Sequence, residues 1–252
     1  MADHIVEGRD LRKQFGASEV LRGVSFALDK GETLVIMGGS GSGKTVLLRT
    51  IAGLIRPSAG ELRVFDIDIT ALSEEELLPL RRRLGYVFQG AALFDSLSVY
   101  ENVAFPLREH TSLAEAEISK RVMHVLSLVG LGGEDVLPKL PSELSGGMRK
   151  RVGIARALVI EPEMLLFDEP TAGLDPTNSK MVGELILRLK DGVCDTSIVV
   201  THDVELARTV ADRIAILMDG RFAAVGPTVE VMNSGDPAVQ AFLAGEARVV
   251  TA

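Results

Sequence analysis

The sequence predicts an α/β fold in which a parallel sheet offers a ligand site at the carboxyl ends of its strands. Three observations carry that expectation. Thr33–Met37 is an unbroken apolar run that leads into a glycine cluster and then into a helix-compatible stretch, TVLLRTIAGL. From Met164 to Met218, strand-like and helix-like segments alternate. Between about Gln89 and Leu144 convincing strands are few, so a mostly helical subdomain is expected to interrupt the α/β core.

The elements follow in chain order. His4–Phe15, Val20–Leu28 and Gly60–Phe65 are short β-type segments separated by Gly or Asp, and form an N-terminal antiparallel β subdomain. Thr33–Met37 fits a strand covered on both faces. Ser73–Leu84 and Leu113–Val129 mix charge with Leu, Ile, Val and Met at helical spacing. Met164–Asp168 is a strand, Thr177–Lys190 a helix and Ile198–Thr201 a strand. Val204–Ala211 is a helix, and Arg213–Met218 a strand that ends at the turn pair Asp219-Gly220. Asp236–Leu243 is compatible with one more helix.

Composition narrows the function. With 252 residues, 46% of them hydrophobic, the chain can bury a sizeable core. Its net charge of -8 argues against a nucleic-acid binder that works by general phosphate attraction. Cys194 is the single cysteine, which excludes an intramolecular disulfide and a cysteine-based metal site. The N-terminus has acidic residues and no apolar run, unlike a secretory signal. No apolar run approaches the roughly 20 residues that cross a bilayer, so the chain is expected to be cytosolic or peripheral.

Two motifs carry the chemistry. Gly38, Gly39, Ser40, Gly41, Ser42, Gly43, Lys44 and Thr45 read GGSGSGKT and fit G-x-x-x-x-G-K-[ST]. Glycines let successive N–H groups point at phosphate, and the following helix start adds more donors. Lys44 can reach the β- and γ-phosphates, and the Thr45 hydroxyl is placed for Mg²⁺. The second motif, MLLFDEP, is an apolar strand ending in two acids. There Asp168 would hold Mg²⁺, and Glu169 would polarise the attacking water. ATP and Mg²⁺ are the expected ligands.

From Phe15 to about Gly226 the chain resembles the nucleotide-binding subunits of ABC transporters, most diagnostically in LSGGMRKRVGIARAL, Leu144–Leu158. The resemblance implies a P-loop NTPase core, a single ATP-binding domain over residues 1–252 and a helical subdomain at about 90–160. It implies that Ser145, Gly146 and Gly147 face the γ-phosphate of ATP held by a partner subunit, in a homodimer with ATP between its halves. Ser-Gly-Gly before a helix is itself an anion-binding N-terminus. By the same resemblance Gln89 would sense Mg²⁺ and the attacking water, and His202 would contact the γ-phosphate. Asp175 would cross the dimer interface. Phe15 stands where the family usually has a Tyr stacked on adenine; it is either that ring or a core aromatic.

Met148, where the family usually has Gln, followed by Arg149, Lys150 and Arg151, resembles the ATPases of Mla/Mce-type lipid transport systems. So do Glu101–Thr111 (ENVAFPLREHT) and Gly90–Asp95 (GAALFD). That implies an MlaE-like permease, an MCE-domain lipid-binding protein, in some members a small STAS-domain protein, and phospholipid or another lipid as cargo. The location implied is the cytoplasmic face of the inner membrane, reached through the permease. The basic cluster Arg149–Arg151 is either a solvated helix face or a surface near anionic headgroups. Three other readings stand beside this one: an amino-acid or ion transporter, a soluble ABC protein of DNA repair or translation, and a non-catalytic subunit. The last two are disfavoured by the single cassette without a long heptad run and by the intact Lys44, Asp168, Glu169, Ser145 and His202.

Overall fold

The computed structural model describes residues 4–245 and contains two sheets. The first holds β1 (His4–Phe15), β2 (Ser18–Asp29), β4 (Ala59–Val64) and β5 (Ile67–Asp68) in the order β2-β1-β4-β5, all antiparallel. The second holds β3 (Thr33–Met37), β6 (Leu84–Val87), β7 (Met164–Asp168), β8 (Ser197–Thr201), β9 (Arg213–Met218) and β10 (Arg221–Pro227). Its order is β10-β9-β3-β8-β7-β6, parallel except for the β9–β10 pair.

Every residue of β3, β7 and β8 is buried, as their near-continuous apolar sequences require. Successive side chains point to opposite faces, so one strand feeds two cores. Leu34 and Ile36 join Leu166, Val200, Leu47 and Leu62 in the space between the sheets. Val35 and Met37 join Phe167, Val199 and the helices on the other face. Those helices include α6 (Pro176–Gly192) and α7 (Val204–Val210). Between the two sheets runs α1 (Lys44–Ile51), and α2 (Glu74–Arg81) precedes β6.

Between β6 and β7 the chain is helical: α3 (Val99–His110), α4 (Glu115–Leu128) and α5 (Gly146–Leu158) pack around Val103, Leu107, Val122, Leu126 and Val152. Short helices α8 (Thr228–Met232) and α9 (Pro237–Leu243) follow the second sheet, α9 within the Asp236–Leu243 stretch that the sequence makes compatible with a helix. The run expected to be helical over Ser73–Leu84 stops at Arg81, and Leu84 instead opens β6. The sequence reading missed β10, whose side chains alternate between exposed and half-buried on an edge and whose end carries Gly226-Pro227. Within the stretch expected to be mostly helical it did not delimit α3, although the Ser98/Glu101 capping box marks its start.

Asn102, fully buried in α3, organises the loop that enters this helix. Its carbonyl accepts from the Phe94 N–H at 2.8 Å, and its amide donates to the carbonyls of Phe94, Leu97 and Ser98 at 2.9–3.1 Å. An apolar residue there would strand these groups in a dry site. Asn102→Leu is expected to lower the unfolding free energy by about 2–3 kcal/mol, read from urea denaturation, because unsatisfied buried polar groups cost that much.

Candidate active site

The carboxyl ends of β3, β7 and β8 bring three sequence motifs to one place. After β3 the chain turns through Gly38–Gly43 into α1. Gly38 is forced by space: a Cβ there would lie 2.4 Å from the Leu217 carbonyl oxygen. Gly41 and Gly43 have φ of 76° and 103°, in the left-handed region that favours glycine. Gly39 and Gly41 have open space where a side chain would stand. The Ser42 hydroxyl is buried without a hydrogen-bond partner, and Ser40 is exposed at the rim. Open backbone, a free helix start and an unpaired hydroxyl form a cradle that a polyanion fits.

Lys44 lies inside this loop, 6% exposed. Its ammonium donates to the carbonyls of Gly38 at 2.8 Å and Gly39 at 3.0 Å. It also stands 3.4 Å from Oε1 of Glu169. The other carboxylate oxygen of Glu169 meets Nδ1 of His202 at 2.8 Å and the His202 N–H at 3.4 Å. Glu169 therefore bridges the phosphate loop and the turn after β8. Its backbone is left-handed at φ 48°, held by its N–H on the Val200 carbonyl at 2.9 Å. Such a conformation in a non-glycine residue costs roughly 1–3 kcal/mol and persists only where the surroundings fix it.

Asp168 is held at both oxygens: Oδ1 accepts from the Thr45 hydroxyl at 2.8 Å, and Oδ2 from the Tyr86 hydroxyl at 3.0 Å. Burial first, then the charge of Asp168, push the Tyr86 phenol well above its ordinary pKa, so it stays a neutral donor. The sequence reading missed Tyr86; its place on β6, next to β7, is a pairing that only the sheet order reveals. A hydroxyl and a carboxylate are hard oxygen donors that suit Mg²⁺. Among the described residues no group of three or more His, Cys, Asp and Glu could hold a metal ion. The remaining ligands of a Mg²⁺ here would come from phosphate oxygens and water, as is usual for that ion.

His202 is followed by a braced turn. The Asp203 carboxylate caps α7 through the Leu206 N–H at 3.0 Å and accepts from the Thr171 hydroxyl at 3.1 Å. Thr171 thereby ties the segment after Glu169 to the segment after His202.

The remaining predicted residues make no direct hydrogen bond to this cluster among the described residues. Ser145 caps α5 by accepting from the Met148 N–H at 3.2 Å, and no hydrogen bond among the described residues joins Ser145, Gly146 or Gly147 to the phosphate loop of the same chain. A Cβ at Gly147 would lie 2.5 Å from the Asn178 amide oxygen, so a side chain there would push Asn178 from its bond to Asp175. Asp175 is exposed and caps α6; hydrogen bonds from the Asn178 side chain and N–H hold its carboxyl below the ordinary range. Gln89 is exposed in the loop after β6. Phe15 is 48% exposed at the end of β1, with the Lys13 ammonium 4.8 Å from its ring centre, which removes the core-aromatic alternative. The basic run divides. Arg149 turns to the Leu144 carbonyl and Arg151 to the Val129 and Gly130 carbonyls, whereas Lys150 is buried, so the three do not share one solvated face.

The profile of the ABC transporter family matches residues 21–172. The chain is 43% identical over 240 residues to a probable ribonucleotide transport ATP-binding protein, mkl, of Mycobacterium leprae, covering 95% of this chain and 69% of that protein. It spans about two thirds of the length of the mycobacterial relatives it matches. It is 41% identical over 246 residues to the intermembrane phospholipid transport system ATP-binding protein MlaF of Haemophilus influenzae, covering 98% of this chain and 92% of that one. Among solved structures it resembles the dimeric ATP-binding cassette MJ0796 in a post-hydrolysis state bound to ADP and Pi. That likeness has a TM-score of 0.80 and 35% identity, over 88% of this chain and 98% of that one. The fold is thus that of the α/β ABC ATPases, with its N-terminal antiparallel β subdomain and inserted helical subdomain. The chain belongs to the ABC transporter family, as an ATP-binding and ATP-hydrolysing cassette.

Proposed function

We propose that this cassette works as one half of an ATP-bridged homodimer and drives the movement of phospholipid, or another lipid, through a separate MlaE-like permease. The observation that carries the hydrolytic part is the placement of Glu169 between Lys44 and His202 at the mouth of the phosphate loop. In this reading the loop and Lys44 bind the phosphates, and Phe15 stacks on the base. Thr45, Gln89 and Asp168 would hold Mg²⁺, which would supply charge neutralisation on the phosphates. Glu169 orients and deprotonates the attacking water, and His202 fixes the Glu169 carboxylate while facing the γ-phosphate. Ser145, Gly146 and Gly147 make no hydrogen bond to their own loop among the described residues, and in this reading their N–H groups serve a second chain's nucleotide, with Asp175 at the same junction.

The dimer has a direct test. With ATP and Mg²⁺, Glu169→Gln protein is expected to sediment as a dimer, and without nucleotide as a monomer. A monomer under both conditions, alone and in the membrane complex, would count against the shared site.

The lipid assignment is supported by the likeness to MlaF, which covers nearly both chains, and by Met148 in the signature phrase. No helix among the described residues is long and apolar enough to cross a membrane, and in this reading a separate permease supplies the path. Phe94 and Phe105, in contact with ring centroids 4.7 Å apart and planes tilted by 51°, are both exposed beside the Gln89 loop and offer that permease an apolar foothold. The cassette would sit at the cytoplasmic face of the inner membrane, in a wider complex with an MCE-domain protein and, as in some members, a small STAS-domain protein. Affinity purification of the complex through this chain, with its proteins and lipids identified, tests the assignment. An MlaE-like permease with bound phospholipid is the expected result. A permease of another class overturns the lipid reading and leaves the ATPase standing. The name of the mycobacterial relative makes ribonucleotide the competing cargo. Ribonucleotide-stimulated turnover without lipid stimulation would favour it.

A further inference from the structure

One face of α5 grips the loop that holds Gln89. Lys150, Gly153 and Arg156 lie three residues apart and so share that face. The Lys150 ammonium donates to the Gln89 carbonyl. Gly153 admits Ala91, whose Cβ would stand 3.1 Å from a side chain at that position. The Arg156 guanidinium donates to the carbonyls of Ala91 and Ala92, both at 2.8 Å. Ala91 and Ala92 are left-handed, with φ of 60° and 48°. Two consecutive non-glycine residues in that region are strained, and the bonds from α5 hold them there.

Lys150 does more than hold this loop. Its ammonium also donates to the Glu169 carbonyl at 3.2 Å. Glu169 is the other left-handed residue of the site. Only 6% of Lys150 is exposed, and no carboxylate oxygen stands within 4.0 Å of its ammonium among the described ion pairs. Burial accordingly pulls its pKa down, against the field of Glu169 and Asp168 that pulls it up. A buried ammonium satisfied by two main-chain carbonyls is an expensive way to fill a core position that Met or Leu could fill. Its geometric product is specific: one cation joins the Gln89 loop to the peptide that carries Glu169, from the second turn of the helix that Ser145 caps.

We propose that Lys150 is a positioning residue that locks the strained Gln89 loop to the strained Glu169 turn, so that a shift of α5 moves both together. Glu169 is then aligned only when α5 and the Gln89 loop are seated. This rests on the reading of Glu169 as the residue that activates water. A nucleotide-binding role for Lys150 is not part of it, because its two acceptors are main-chain carbonyls outside the phosphate loop.

The test uses the full-length chain as parent, Lys150→Met, Lys150→Arg and Glu169→Gln. For each, kcat and KM for ATP, the Kd for ATP by calorimetry and the thermal midpoint are measured. Lys150→Met is expected to lower kcat about tenfold or more while the Kd for ATP stays within about threefold, the pattern of a lost transition-state alignment. Lys150→Arg, which keeps the charge and the donors, is expected to recover kcat to within about threefold of parent. Three results overturn the proposal: parent-like kcat in Lys150→Met, a parallel fall of kcat, ATP affinity and thermal midpoint, or a Lys150→Arg no better than Lys150→Met. Turnover at the parent rate in Glu169→Gln would bring down the reading of Glu169 and this proposal with it. An inactive Glu169→Gln beside a parent-like Lys150→Met would bring down this proposal alone.

Discussion

Glu169→Gln is expected to lower ATP turnover by about 10²–10⁴-fold, the range a positioned general base contributes, while ATP binding stays close to parent. The substitution keeps size and shape. An amide oxygen can still accept from the His202 N–H, so the turn after β8 keeps its tie to the strand end. What disappears is the basic carboxylate, and with it the charge 3.4 Å from the Lys44 ammonium. Lys44 then has one competitor fewer for phosphate, which favours binding and not turnover. Single-turnover ATPase assays beside calorimetry separate the two quantities. Turnover near the parent rate would remove Glu169 from the chemistry and leave it a structural bridge. Loss of affinity in step with turnover would mean that the residue serves the ground state.

The motifs of the candidate site were legible because each is a local pattern with a local consequence. An apolar run before glycines is a buried strand before a tight turn, and β3 with its loop follows that reading residue for residue. Lys44, Thr45, Asp168 and Glu169 are named from such patterns and His202 from the family resemblance, and the strand ends bring them within bonding distance. Tyr86 and Lys150 were not legible as site residues. Tyr86 matters because β6 pairs with β7, a neighbour relation across a long helical insertion that no short window contains. Lys150 reads as one of three consecutive basic residues, and only the burial of one stripe of α5 separates it from Arg149 and Arg151. The left-handed backbone of Glu169 was equally hidden, since it is imposed by the β8 carbonyl and not by residue type. β10 failed for the opposite reason: an edge strand buries little, so its sequence carries little periodic signal.

Lys44→Ala is expected to weaken ATP binding itself, by about 30–100-fold, and turnover at saturating ATP is then of secondary interest. Three features make the loss large. The ammonium is already desolvated, so its interaction with a phosphate is not discounted by bulk water as a surface pair would be. Its resting partners, the carbonyls of Gly38 and Gly39, are weak acceptors beside a phosphate oxygen, so the switch from loop to nucleotide gains free energy. Alanine supplies no replacement donor, and a charged hydrogen bond of this kind contributes roughly 2–3 kcal/mol, which is the source of the fold-change given above. Folding should survive, because removing a buried cation relieves desolvation and Lys44 is the first residue of α1, whose later turns are untouched. Calorimetry with ATP and a thermal scan without nucleotide read the two effects separately. Unchanged affinity would show that Lys44 stays on the loop carbonyls when nucleotide binds and that the backbone N–H groups alone hold the phosphates. A collapsed thermal midpoint without nucleotide would instead make the Lys44–Glu169 contact a structural strut, because the carboxylate left behind would have lost its cation in a buried site.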